Sequence, residues 1–142
     1  MFMGEHHHNI DDKNRLVIPA NYRNQLGDTF IITRGFEKCL YIYTEAEWQK
    51  IVDKLASLPF TKKDARTFMR SFFSAAATCN FDSQGRISIT STQTSYAEIT
   101  KECVIIGAND RVEVWSRENW DKFNLEYSDE LEMVAEHLFS GE

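Results

Sequence analysis

Two arginines occupy the same place in two copies of one short pattern. Asp11-Asp12-Lys13-Asn14-Arg15 runs into Leu16-Val17-Ile18, and Asp82-Ser83-Gln84-Gly85-Arg86 runs into Ile87-Ser88-Ile89. Each is an Asp-x-x-x-Arg ahead of a short β-favouring run, and the two are displaced by 71 residues. A guanidinium carries five donors in a rigid planar fork, so it engages two acceptors side by side: the oxygens of a carboxylate, or O6 and N7 on the edge of a guanine. Spacing alone points to the first partner, an internal salt bridge in which Asp11 or Asp82 closes a turn. The repetition keeps the second in view. In either case the aspartates are expected to hold the loop by accepting from its backbone amides.

Other residues that could do chemistry form weaker patterns. His6-His7-His8 beside Glu5 invites a metal reading, but consecutive strand residues point to opposite faces, so only His6 and His8 could share a site and nothing nearby completes a ligand set. An exposed N-terminal strand without metal or cofactor is the expectation. Cys39, Cys79 and Cys103 are odd in number, far apart and free of CxxC spacing, which predicts buried thiols rather than a disulfide framework or a zinc site. No phosphate loop, nucleophile elbow or paired catalytic motif is present, so an enzyme is not expected.

The elements that must carry the arginine loops repeat with them. Phe30-Ile31-Ile32 ahead of Gly35 corresponds to Val104-Ile105-Ile106-Gly107, Leu40-Tyr41-Ile42-Tyr43 to Val112-Glu113-Val114-Trp115, and Glu47-Trp48 to Asn119-Trp120. In the first copy Pro19 suits entry to a helical turn that runs through Leu26 and stops at Gly27-Asp28. Thr29–Arg34 and Cys39–Tyr43 read as a hairpin whose loop uses Gly35 for a positive φ. Thr44 with Glu47 is the pattern of a capping box that opens a helix to about residue 58. Ser116 opens its counterpart. Between the copies, Ala65, Phe68, Met69, Phe72, Phe73 and Ala76 recur at three and four, predicting a helix over 62–78 whose apolar face must be covered. Leu131, Met133, Val134 and Leu138 predict a last amphipathic helix with glutamates on its other face.

A repeat of about forty residues cannot bury both faces of its strands alone, so the two copies must pair. The fold class expected is α+β and β-rich: a pseudo-two-fold β-barrel with helices flanking it. With 42% hydrophobic and 13% aromatic residues, the 142-residue chain belongs with ordered globular proteins and has room for one compact unit. No apolar stretch is long enough for a membrane span and no signal peptide is visible, which predicts a cytoplasmic protein.

The net charge of −6 runs against nucleic-acid binding, which leans on lysine and arginine to displace counterions. Its distribution removes the objection. Residues 117–142 hold eight acids and two bases, so the first 116 carry fourteen of each sign and net to zero.

Taken together, the opening Met-Phe-Met-Gly-Glu, Asp11-x-x-x-Arg15-Leu-Val-Ile-Pro, Thr33-Arg34-Gly35, Leu40-Tyr41-Ile42-Tyr43 and Glu47-Trp48, repeated in weaker form, resemble the MraZ family over most of the chain. The resemblance implies membership of the AbrB-like superfamily, in which two swapped-hairpin modules form one barrel. It implies one module over 5–47, linking helices over 48–75, a second module over 76–119 and an acidic helical segment over 120–142. It further implies a transcription regulator that binds repeated double-stranded DNA elements upstream of its own operon of cell-division and cell-wall genes, in the nucleoid, as a ring-like homo-oligomer of about eight or more subunits. Arg15 and Arg86 fall where the family reads DNA, and Lys13 is a candidate phosphate contact. Two positions depart from the family pattern: Asn14 replaces a usual Gly, and because asparagine tolerates left-handed turn geometry the first loop is expected to survive; Thr90 replaces a usual Pro, and the second copy is expected to read DNA less strictly or to serve assembly.

Other readings stay open for the remaining charges. Arg34 is a surface charge or an internal partner. The basic run Lys62-Lys63-Asp64-Ala65-Arg66 to Arg70 is a solvated helix face or a pairing surface for an acidic C-terminal segment, which salt would weaken. Phe68, Phe72, Phe73 and the tryptophans read as core or subunit contacts rather than base-stacking platforms. An oligomeric scaffold or an antitoxin-like protein of the same superfamily is the competing function.

Overall fold

Cap residues and short β-branched runs cut the chain into fourteen elements in the computed structural model, which describes residues 1–140. Gly141 and Glu142, the end of the expected acidic segment, lie outside the described residues. The first copy comprises β1 (Glu5–Asn9), β2 (Arg15–Val17), α1 (Ala20–Leu26), β3 (Phe30–Arg34), β4 (Leu40–Thr44), α2 (Glu45–Ala56) and α3 (Lys63–Ser74). The second repeats the order: β5 (Ala77–Cys79), β6 (Arg86–Ser88), α4 (Ser91–Tyr96), β7 (Glu102–Gly107), β8 (Val112–Ser116), α5 (Arg117–Tyr127) and α6 (Leu131–Phe139).

The fold is α+β. Six strands form one antiparallel sheet in the order β1-β7-β8-β4-β3-β5, and β2 pairs with β6 in a separate antiparallel ribbon. The copies interleave, because β1 lies beside the second copy's β7 while β4 and β8 meet at the centre. Register reveals a pseudo-two-fold axis. Tyr41 opposes Glu113, its own repeat equivalent, and Leu16 opposes Ile87 in the ribbon. The pairings Ile31↔Tyr43 and Val104↔Trp115 then equate Ile31 with Val104, one residue away from the match suggested by the apolar runs.

The expected barrel is not closed: β1 and β5 end the sheet on opposite sides and do not pair with each other. The chain covers the open sheet with layers instead. On one face, Leu16, Ile18, Ile87 and Ile89 of the ribbon segments, with Tyr22 and Leu26 of α1, pack on Phe30, Ile32, Leu40, Ile42, Ile105 and Val114. On the other, Trp48 and Leu55 of α2, Phe68 and Phe72 of α3, and Trp120 and Phe123 of α5 cover Tyr41, Tyr43, Val104 and Trp115. Burial on both faces explains why β3 and β4 read as unbroken apolar runs rather than alternating ones.

Local differences from the sequence reading have local causes. The helix expected over 62–78 stops at Ser74, because residues 77–79 find backbone partners along Ile32 to Phe30 and become β5. Gly35 is not in the left-handed region. Those residues are Glu37 and Lys38, at φ 66 and 61, and Gly35 is needed because a Cβ there would stand 2.4 Å from the Tyr41 ring. Thr44 accepts from the Glu47 amide at 3.1 Å, but the Glu47 carboxylate turns to Lys50, so only half the expected capping box forms. The full box belongs to Thr90 and Gln93 at the start of α4. The Thr90 hydroxyl thus caps α4 at the position where the first copy has Pro19 ahead of α1.

The three cysteines are free and buried, and burial pushes the Cys79 and Cys103 thiols up to about 11. In α6, by contrast, Leu131 and Leu138 are each 70% exposed, so nothing among the described residues covers that apolar face.

Candidate nucleic-acid interface

The β2–β6 ribbon begins each of its strands with an arginine, and each arginine closes the loop that leads into it. Asp11 Oδ1 accepts from the backbone amides of Lys13 at 3.0 Å and Arg15 at 2.8 Å, while its Oδ2 accepts from Arg15 Nε at 2.7 Å. The second loop repeats these bonds. Asp82 Oδ1 accepts from the amides of Gln84 and Arg86, both at 2.9 Å, and Oδ2 accepts from Arg86 Nε at 2.7 Å. Backbone bonds finish the turns: Asn14 to the Asp11 carbonyl and Gly85 to the Asp82 carbonyl, each 3.0 Å. Asn14 and Gly85 are the left-handed residues, at φ 59 and 73, so the asparagine does keep the first loop's geometry.

The structure therefore brings Asp11 with Arg15, and Asp82 with Arg86, as ion pairs that close turns. It also brings the loops together, with Arg86 Nη1 3.8 Å from Asp11 Oδ2. Closing the turn does not consume the arginine. The short contacts use Nε, which leaves the two-nitrogen end of Arg15 to meet a further acceptor pair, while at Arg86 the Nη1 end has only the longer approach to Asp11 beside it. Arg15 is 32% exposed and Arg86 22%, so both reach solvent from a fixed base. Lys13 is exposed at the tip of the first loop, and its equivalent is the uncharged Gln84.

The carboxylates are locked as anions by the same bonds. Asp11 and Asp82 lie below the ordinary value of 3.8, chiefly because the arginine backbone amide donates to each and then because the arginine side chain and a second amide do so. A depressed folded value means that the loop's stabilisation is complete above the unfolded value and is lost as pH falls through the folded one. An NMR carboxyl titration should place both midpoints below 3.8. A midpoint at or above 3.8 would mean that these bonds are absent in solution.

Other candidates sit elsewhere. Arg34 is an internal partner: it lies over the Tyr96 ring at 5.3 Å, and its Nη1 is 3.4 Å from Ser71 Oγ. His7 Nε2 meets Glu5 Oε2 at 2.8 Å, and His6 sits edge-on to Tyr22. Among the described residues, no three His, Cys, Asp or Glu side chains are grouped to hold a metal. Phe68, Phe72 and the tryptophans are in the helix-covered layer, away from the ribbon. The sequence reading missed Arg23 of α1, which touches the second loop at Gly85. A signal was available. At the repeat displacement, Arg23 answers to Thr94 just as Gly85 answers to Asn14.

Fold and site together define an internally duplicated α+β protein with two arginine-bearing loops on a shared ribbon. Comparison with known proteins gives the family. Residues 1–71 and 72–140 each match the family described as "MraZ protein, putative antitoxin-like". The transcriptional regulator MraZ of Lactobacillus helveticus is 51% identical over 138 residues, covering 97% of this chain and 96% of that protein. The transcriptional regulator MraZ of Desulforamulus reducens is 49% identical over 138 residues, covering 97% of each. The chain belongs to the MraZ family, a family of transcription regulators and not of enzymes. No helix among the described residues is long and apolar enough to cross a membrane.

Proposed function

We propose that this protein is a transcription regulator that reads double-stranded DNA through Arg15 and Arg86. The observation that carries the reading is the mirrored pair of loops in which Asp11 and Asp82 hold each arginine by Nε. A guanidinium fixed in this way keeps the fork that pairs with O6 and N7 of guanine, an interaction worth roughly 1–3 kcal/mol of discrimination. Lys13 adds a phosphate contact, which positions without specifying.

The rest of the reading follows the family. Two AbrB-like swapped-hairpin modules, 5–47 and 76–119, provide the reading loops, 48–75 links them, and the acidic 120–142 segment serves assembly. The assembly is a ring-like homo-oligomer of about eight or more subunits, in which linked weak contacts gain avidity of about 10²–10⁴ on repeated sites. The exposed apolar face of α6 supports self-association. The target is a set of repeats upstream of the protein's own operon of cell-division and cell-wall genes, in the cytoplasmic nucleoid.

Binding of the purified protein to a duplex from upstream of its own gene, against a scrambled duplex over a salt series, tests the reading. Preference for the upstream duplex that weakens with salt, and that is lost in Arg15→Ala, is the expected result. Equal weak binding to both, unchanged by the substitution, would return Arg15 to turn closure and leave an oligomeric scaffold or antitoxin-like role.

A further inference from the structure

The repeat puts different residues at two pairs of equivalent positions, Arg23 and Thr94 on the helices and Gly85 and Asn14 in the loops, and Arg23 lies against Gly85. Asn14 and Gly85 share a left-handed backbone, which glycine enters freely and asparagine at little cost, so conformation does not explain why the second loop uses glycine. Space does. A Cβ on Gly85 would stand 2.8 Å from both Cζ and Nη1 of Arg23 and 2.9 Å from its Nε. The near-equal distances mean that the guanidinium presents its face to the loop backbone where a side chain would be. Arg23 Nη1 also donates to the Ile18 carbonyl, and the Ile18 amide donates to the Gly85 carbonyl at 3.1 Å. A helix of the first repeat is thereby tied to the loop of the second. On the opposite side the helix position is Thr94, buried with its hydroxyl turned to the Ser91 carbonyl at 3.1 Å, and there Asn14 keeps its side chain.

We propose that Arg23 is a positioning residue for the second reading loop: by seating Gly85 it sets the direction in which Arg86 is presented. The proposal rests on Arg86 being a base contact.

The test transplants the first pair into the second site with Arg23→Thr and Gly85→Asn, singly and together, in full-length protein carrying wild-type Arg15 and Arg86, Arg15→Ala or Arg86→Ala. Binding is measured to the upstream duplex and to duplexes with single base-pair changes. An asparagine at 85 evicts the flexible guanidinium rather than breaking the fold, so either substitution removes the same seat. Each should lower discrimination at the base pairs that Arg86→Ala affects by about three- to tenfold, and the double variant should match either single one. Base pairs that depend on Arg15 should be unaffected. With Arg86→Ala already present, Arg23→Thr should change nothing further. Losses that multiply, or an Arg23→Thr loss of the same size without Arg86, would overturn the seat in favour of a direct contact or a general weakening of the fold. If the wild type does not distinguish the duplexes at all, the DNA reading fails instead. The seat then stands or falls on whether the two substitutions are non-additive in thermal unfolding.

Discussion

Exchanging Arg15 and Arg86 together for lysine should leave the protein folded and still attracted to DNA, but unable to tell one duplex from another. Lysine retains the positive charge and so most of the salt-dependent attraction, yet it replaces a planar fork with a point charge that cannot bond O6 and N7 side by side. Each arginine read as a base contact is worth roughly 1–3 kcal/mol, about fivefold to 150-fold in discrimination, so the double variant should lose on the order of the product. The slope of binding against salt should hardly change, which separates this outcome from removal of a phosphate contact such as Lys13→Ala. The folded loops should tolerate the exchange. Asp11 and Asp82 still accept from backbone amides at 2.8 to 3.0 Å whichever side chain follows. Competition binding with the two duplexes is the measurement. Undiminished discrimination by the double lysine variant would remove the guanidinium fork from the mechanism.

Much of this arrangement was legible in the sequence because its signals are short in range. The Asp-x-x-x-Arg loops, the β-favouring Leu16-Val17-Ile18 and the hydroxyl caps Thr44 and Ser116 each specify their geometry within a few residues, and each forms where expected. What periodicity could not supply was the partner across space. Residues 77–79 continue an apolar spacing that suits a helix, and only pairing with β3 makes them a strand. Gly35 looked like a turn glycine, whereas the turn relies on Glu37 and Lys38 and the glycine makes room for Tyr41. Closure of a barrel is likewise a property of where β1 and β5 end up, which no pattern within either copy encodes. The site divides in the same way: the Asp–Arg pairs are local, while the Arg23–Gly85 contact joins two repeats and shows only as a paired exception to their likeness.

Leu16→Ala should be the most damaging single substitution in the ribbon, and its consequence should extend to both loops. Leu16 is fully buried, lies on the pseudo-two-fold axis opposite Ile87, and belongs to the cluster that seals the ribbon against the sheet. Removing a buried leucine side chain costs roughly 2–5 kcal/mol, because the lost apolar burial is joined by a cavity that the surroundings only partly refill. For a chain of this size that lowers the thermal midpoint by on the order of 10 °C. Ile87→Ala removes the other half of the same contact, so the two substitutions should couple in a double-mutant cycle rather than add. The three-residue strands β2 and β6 pair only with each other among the described residues, so a weakened Leu16–Ile87 contact loosens the bases of Arg15 and Arg86 alike. Thermal unfolding of the four proteins gives the coupling, and duplex discrimination by Leu16→Ala at a temperature where it remains folded gives the functional half. A shift under about 2 °C, or a loss confined to the element read by Arg15, would mean that the ribbon is not the common support of the two loops.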